Sequence, residues 1–590
     1  MANDTKALLP QAAEGRVSKP AKWTTKSRVF FLLKFYWTFY VLFWLLPRLI
    51  CEHFGPSSPP GGYVDPDGAC PQVDALEPAG ANGELWANLS ALYAEDSYEK
   101  RAISWLSGAV RVPTETYDDM GPVGEDERWD TRGPFHEYLL EAFPTIHSSL
   151  KLTKVNTYGL LYEWPGTDST LKPILLMGHQ DVVPVNPDTV DQWAHPPYSG
   201  YFDGESIWGR GSSDDKSGLI AILATIETLL EHKFQPTRSI VLSFGFDEEA
   251  GGPQGAKPLA EFLLDKYGKD AFALIIDEGA GYVEQFGGIF ATPGIGEKGS
   301  ANVKIEIHTP GGHSSIPPKH TSIGMLSSLL VHLEANPFPV HLSRGTPVYQ
   351  TLQCVAAHAP DVPPKLRRAL VKGRKSDRQL RKAEEIVFEN NALKALAGTT
   401  QAADIVAGGV KSNALPEQAT ALVNHRIATD SSLKDLRAHY PGLFKHLASS
   451  FNLSYTAFDA TILDSKATFG DLIVSSPYAL EPAPVTPTDA DAKPYALLSG
   501  SIRTTYAKRR EAKGLEAEKV FVAPGIMSGN TDTKYYWDLS KHIFRYNHHN
   551  QGTGGLGRIH TVNESMESES FLEVILFFTT LILNADSADL

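Results

Sequence analysis

The sequence predicts an α/β protein. Its main domain is a mostly parallel sheet with helices on both faces, a smaller α+β domain is inserted into it, and an N-terminal transmembrane helix precedes it. Three observations predict this. First, the short apolar runs PILLMG, SIVLSFGF and FALIID alternate with a helical pattern, GLIAILATIETLLEHK. Runs that are apolar throughout suit strands buried on both faces, and strands alternating with helices imply a parallel sheet. Second, after GIGEKG the texture changes to apolar/polar alternation in ANVKIEIHT and QATALVNHRI, as in strands with one face toward water. Third, the polar, basic leader of residues 1–28 runs into VFFLLKFYWTFYVLFWLL, Val29 to Leu46.

In chain order, residues 1–28 read as a cytosolic tail. Lys6, Arg16, Lys19, Lys22, Lys26 and Arg28 outweigh Asp4 and Glu14, which sets the N-terminus in the cytosol. Residues 29–48 read as the anchor: the eighteen-residue run would span about 27 Å as a helix, close to a hydrocarbon core. Lys34 lies near the cytosolic end, where its stem can snorkel. A cleaved signal peptide is shorter and ends at small residues, whereas this run is aromatic and ends in Leu-Pro-Arg. Everything beyond it would then be lumenal, on the side where the sequons at Asn88, Asn452 and Asn563 could be glycosylated and the one at Asn3 could not. Residues 49–84, rich in Gly and Pro without periodicity, read as a stalk. The main domain takes residues 85–296 and 463–590, and the insert takes 297–462. A basic stretch within the insert, PPKLRRALVKGRKSDRQLRKAEE, reads as a solvated helical excursion. The apolar run Phe571 to Leu583 contains Glu573 and is short for a span, so it reads as a buried terminal helix.

The 590 residues carry a net charge of −15, with no basic footprint for nucleic acid. The three cysteines, Cys51, Cys70 and Cys354, are too few for a disulfide framework or a Cys-rich zinc cluster, so a metal here must be held by His, Asp and Glu. Such residues gather at strand ends and in the loops that follow: GHQDVVP with His179 and Asp181, GRGSSDDKSG with Asp214 and Asp215, FGFDEEAGG with Asp247, Glu248 and Glu249, IIDEG with Asp277 and Glu278, and GRIHTVNE with His560. The carboxyl ends of parallel strands are where ligands bind. Each motif alone is commonplace. Together, carboxylate pairs flanked by glycine at the ends of apolar strands would repel one another without a cation, and two histidines with several carboxylates suit a pair of zinc ions. GTGGLG, Gly552 to Gly557, matches a dinucleotide fingerprint literally, but no strand precedes it and no βαβ unit fits after it, so it reads as a loop placing His560. The chain has no HExxH and no GxSxG.

GHQDVVP, GRGSSDDKSG and DEEAGG, in that order, resemble the di-zinc exopeptidase family of aminoacylase, carnosine-type dipeptidases and glutamate carboxypeptidases, over roughly residues 85 to 585. The anchor, LIIDEG and GRIHTVNE look most like its fungal vacuolar carboxypeptidase S branch. The resemblance implies two zinc ions per subunit, with His179, Asp214, Glu249, Asp277 and His560 as ligands and Asp214 bridging. Related sequences use either Asp277 or its neighbour Glu278. It also implies a cis peptide after Asp214, Asp181 orienting the His179 ring, and Glu248 as general base. The insert would be a lid and dimerisation domain: His313 in TPGGHSS would support the oxyanion in a partner subunit of a homodimer, and Asn413 and Arg426 would bind the substrate carboxylate. SGNTDTKYY resembles the family's substrate loop. The implied activity is a metallocarboxypeptidase cutting the C-terminal bond of short peptides, and the alternative on the same scaffold is an N-acyl amino acid amidohydrolase. The implied setting is a single-pass membrane protein of the vacuole, with processing in the stalk. With every metal and base position filled, a catalytically silent tethered binding protein is disfavoured.

Overall fold

The computed structural model describes residues 68–590 except 465–468, 517 and 553–557. The expected cytosolic tail, the anchor, the first part of the stalk and most of GTGGLG lie outside the described residues.

The main sheet has eight strands in the order Lys151–Val155, Gly159–Trp164, Ile240–Gly245, Ile174–His179, Leu274–Asp277, Ile543–Arg545, Gly294–Glu297 and Gly525–Met527. The central four are parallel, and the flanking strands Gly159–Trp164 and Gly294–Glu297 pair antiparallel to that block, so the sheet is mixed with a parallel heart. Alternate residues of these strands enter different cores, which is why the runs are apolar throughout. Ile174, Leu176, Leu242 and Ile276 pack with the helices Lys216–Glu231 and Ser568–Ser587. Leu175, Met177, Val241 and Ile275 pack with Ala256–Tyr267 on the other face. The terminal helix Ser568–Ser587 is apolar and long enough to cross a membrane, yet 94% of its apolar window is buried inside the molecule. It is the core helix expected from the sequence. Its one mid-run charge, Glu573, accepts a 2.5 Å hydrogen bond from the Tyr282 hydroxyl.

The insert is a six-stranded sheet, ordered Ala402–Gly408, Gln418–Ile427, Gly299–His308, Gly470–Leu480, Leu453–Ala457 and Ala460–Leu463. Its inward residues, among them Val303, Ile305, Ala421 and Val423, pack under the helices Ser322–Ala335 and Leu433–Ser450. The sheet includes Gly470–Leu480, so the insert extends past the expected boundary at 462. The strand contains Pro477. It is tolerated because the register with Gly299–His308 shifts there and because the neighbour Leu453–Ala457 ends opposite Val474.

Two further expectations are corrected. The basic stretch forms two helices, Pro364–Gly373 and Asp377–Val387, whose Leu366, Leu370, Leu380 and Val387 enter a third core with Phe290 and Ala523 of the main domain. Only its charged faces are solvated. Residues 70–84 are docked rather than stalk-like. Cys70 is disulfide-bonded to Cys354, and Gln72 exchanges hydrogen bonds with the Val522 backbone at 2.9 and 2.8 Å. The Leu76 amide donates to the Gly500 carbonyl at 3.1 Å, and a helix begins at Gly80. These ties use backbone groups, one polar side chain and a crosslink, which leave no periodic signal.

Candidate metal centre

The parallel strands deliver the donors to one edge of the sheet. His179 is the last residue of Ile174–His179, Glu248 and Glu249 form a short turn just beyond Ile240–Gly245, and Asp277 and Glu278 end and follow Leu274–Asp277. Asp214 precedes the helix Lys216–Glu231, and the Asp214–Asp215 peptide is cis. Gly218 is required here, because a Cβ on it would lie 2.4 Å from Asp215 Oδ1. His560 arrives from the far end of the chain on a left-handed residue, φ 57°.

The donors converge. His179 Nε2 lies 3.2 Å from Asp214 Oδ1 and 3.7 Å from Glu278 Oε1. His560 Nε2 lies 3.1 Å from Asp214 Oδ2 and 3.1 Å from Glu249 Oε2. Two donors about 2.0–2.1 Å from one tetrahedral zinc are about 3.3 Å apart, so these separations fit metal positions on either side of Asp214. Glu248 shares a cluster with His179 and Glu278 in which the potential donors lie within 4.8 Å of one another. Asp277 is not in that cluster. It is buried, and its Oδ2 has no hydrogen-bond partner among the described residues. Of the two residues left open by the sequence, Glu278 is the one whose side chain turns toward His179.

The electrostatics call for cations. Burial and the facing Glu278 push the Glu248 carboxyl well above its ordinary range, and burial and Asp214 do the same to Glu278. Burial pushes Asp215 up to about 8. Hydrogen bonds to Asp214 and Glu249 raise His560 to about 10. Burial opposes a charge on His179, but Glu278, Asp181 and Asp214 outweigh it and hold the imidazole well above its usual value. Without metal the histidines are thus held as cations among the carboxylates. The donor set of neutral imidazole and carboxylate oxygens suits divalent metal in their place.

The supporting residues are equally definite. Asp181 is fully buried, with Oδ1 3.3 Å from His179 Nδ1. Its carboxylate also accepts from the Glu248 and Glu249 amides, both at 3.1 Å, and its backbone carbonyl lies 3.0 Å from His179 Nδ1, so one residue faces the ring and holds the glutamate turn. Several groups were missed in the sequence. Asp532, within SGNTDTKYY, is buried beneath the glutamate turn, where a Cβ on Gly245 would come 2.3 Å from its Oδ2. Asn547 donates to Asp215 at 3.0 Å, and Glu564 holds the Asp214 loop. Each is an isolated polar residue whose partner is far away in sequence.

The insert's residues divide. Arg426 is half-buried where the insert joins the main domain, and its Nη1 donates to Asn530 Oδ1 at 3.3 Å. His313 and Asn413 are exposed, on and beside a two-stranded ribbon, Gly312–His313 with Ala414–Leu415. There the His313 Nδ1 lies 2.7 Å from the Ser315 hydroxyl, outside its own chain's donor cluster.

The family model for peptidase family M20/M25/M40 matches residues 175–584, a span that holds every donor named above. The chain belongs to this family. M20 relatives include carboxypeptidase S of Saccharomyces cerevisiae, 38% identical over 88% of this chain and 89% of the relative. The human N-fatty-acyl-amino acid synthase/hydrolase PM20D1 is 31% identical over 82% of this chain and 87% of the relative. Among solved structures, human carnosine dipeptidase 1 superposes with a TM-score of 0.55 at 14% identity, covering 87% of this chain and all of that one, which shows the shared fold. The M20 chain is accordingly an enzyme, a hydrolase of the metallopeptidase class.

Proposed function

We propose that the protein is a zinc carboxypeptidase that removes C-terminal residues from short peptides, with two zinc ions per subunit held by His179, Asp214, Glu249, Glu278 and His560. The observation that carries this reading is the spacing of the imidazole and carboxylate donors on both sides of Asp214. When bound, the zinc pair supplies Lewis acidity and lowers the pKa of the attacking water from 15.7 toward about 7. Glu248, beside the His179–Glu278 pair, takes the proton of that water and returns it to the leaving amine. Arg426, steadied by Asn530, offers charge-assisted donors to a free carboxylate, which directs cleavage to a chain end. Asn413 and His313 act across a homodimer, His313 donating to the oxyanion in the partner's site. The exposed, largely apolar edge strand Ala402–Gly408, with Ile405 and Val406 more than half exposed, offers a surface for that dimer.

The second reading, hydrolysis of N-acyl amino acids, is favoured by the likeness to the human N-fatty-acyl-amino acid synthase/hydrolase. Both substrates present an amide beside a free carboxylate. The test is a panel of blocked dipeptides, their C-terminal amides and long-chain acyl amino acids, run with metal analysis. Cleavage of dipeptides and not of their amides supports a carboxypeptidase, and cleavage of acyl amino acids alone selects the second reading. For location we retain a lumenal, vacuolar enzyme on an N-terminal anchor. The Cys70–Cys354 disulfide supports an oxidising compartment.

A further inference from the structure

His560 stands on an unusual support. Arg558, His560 and Asn563 all adopt left-handed backbone, with φ of 63°, 57° and 65°, and the His560 side chain is 50% exposed. Its partner Asp214 lies far away in sequence, so some element must fix one to the other. Glu564 is buried four residues past His560. Its Oε1 accepts from the amides of Gly211 at 3.0 Å, Ser213 at 3.0 Å and Asp214 itself at 3.2 Å. Its Oε2 pairs with the buried Arg210 guanidinium. Its own carbonyl accepts from the Gly209 amide at 3.0 Å, and the following strand Ser565–Glu567 is in register with Ser206–Trp208 just ahead of the Asp214 loop. Three amides converging on one oxygen suit an anionic acceptor. Arg210 alone could tie the two segments together. The bond to the Asp214 amide acts on a donor of the centre itself.

We propose that Glu564 is a positioning residue: its carboxylate sets the spacing between Asp214 and His560 and thereby shapes the metal position these two share with Glu249. This rests on the ligand assignment above. Glu564→Asp keeps the charge but is one methylene too short to serve both the loop amides and Arg210.

The experiment titrates the zinc-loaded full chain with a chromophoric chelator, for Glu564→Asp, Glu564→Gln, His560→Gln and the Glu564→Asp/His560→Gln double variant, with kcat and KM alongside. His560→Gln should weaken one of two zinc equivalents more than about 100-fold. Glu564→Asp should weaken the same equivalent about 10- to 100-fold, the range for residues that orient ligands, and lower kcat with KM within about threefold. In the double variant the Asp substitution should add less than about threefold, because both changes act on one position. If His560→Gln leaves both equivalents tight, the ligand assignment fails and the proposal falls with its premise. If His560→Gln weakens one and Glu564→Asp weakens neither, or weakens both equally, the assignment stands and the positioning role is overturned. Should Glu564→Asp not fold, Glu564→Gln decides by the same criteria. If neither folds, Glu564 is a residue of the fold, and the proposal is overturned.

Discussion

Glu278 and Asp277 are adjacent carboxylates, and the geometry gives them different work. Glu278 Oε1 lies 3.7 Å from His179 Nε2, close to the separation of two donors on one zinc. Asp277 is buried away from the cluster, and burial raises its carboxyl to about 6. Glu278→Gln replaces a charged donor with a weak one. Groups that merely orient a ligand are worth about 10- to 100-fold in metal affinity, so loss of a direct carboxylate donor should cost at least about 100-fold, or about 2.7 kcal/mol, at one of the two positions. Asp277→Asn removes a buried charge whose Oδ2 has no hydrogen-bond partner among the described residues. It should leave both affinities within about threefold, and stability at pH 7 unchanged or higher, since a buried carboxylate with an unpaired Oδ2 gives way to a neutral amide. The assay is zinc per subunit after dialysis against a graded chelator, with a melting curve for each variant. Loss of one zinc from Asp277→Asn, with Glu278→Gln retaining two, would refute the assignment made from side-chain direction.

Glu248→Gln should keep two zinc ions and lower kcat by about two to four orders of magnitude; loss of a zinc would make Glu248 a ligand. The metal-free protein should lose stability as pH rises. The raised His560 contributes stability that is complete below about pH 6.5 and lost as pH passes about 10. The raised Glu248 and Glu278 act in the same direction, because the unfolded chain sheds their protons first. Unfolding midpoints from pH 7 to 10 should therefore fall for chelator-treated protein and stay level for the zinc-loaded form. Replacing Cys70 and Cys354 by serine opens a loop with a sequence separation of 284, for which the chain-entropy relation gives about 5.6 kcal/mol as an upper value. Denaturant titration should show a loss of about 2–5 kcal/mol with kcat unchanged, and thiol counting on the denatured, unreduced chain should find one free cysteine. Finally, His313→Ala mixed with Glu248→Gln should recover activity that neither has alone, and no recovery under verified subunit exchange would mean each chain uses its own His313.

The legible part of the molecule was the part built from local patterns. Doubly buried strands such as Ile174–His179 announce themselves because both side-chain sets must be apolar, and the half-buried Gly299–His308 does so by alternation. The candidate donors were legible because the motifs occur together and in order, and their roles because that combination resembles a known family. What escaped was settled by tertiary contact. Glu278 differs from Asp277 only in which way one side chain turns at the end of a strand. Glu564 looks like any polar loop residue until Gly211, Ser213 and Asp214 are brought to it. Gln72 and Cys70 sit in a Gly/Pro-rich run whose docking depends on Val522 and Cys354. The central strand Gly470–Leu480 carries Pro477, and the bulge that accommodates it is a property of the pair, not of the strand alone.

The insert's geometry also bears on how its residues divide their work. Ser300 pairs with Arg426 and His308 with Gln418, so Arg426 lies at the inner end of the strand pair and the His313 ribbon follows the outer end. The eight residue steps from Ser300 to His308 span about 26 Å at roughly 3.3 Å each. In the proposed reading, a substrate carboxylate held by Arg426 next to Asn530 would sit at the join with the main domain. The His313 of the same chain stands a strand's length away. If Arg426 binds the carboxylate, the amide to be cut lies within a few ångströms of it, and the same chain's insert would not bring its outer end to that substrate in this conformation. In the proposed dimer, a second subunit joined along the exposed Ala402–Gly408 edge would meet this requirement. It would also make recognition a property of one chain and oxyanion support a property of its partner, which is the division the mixed-variant experiment reads.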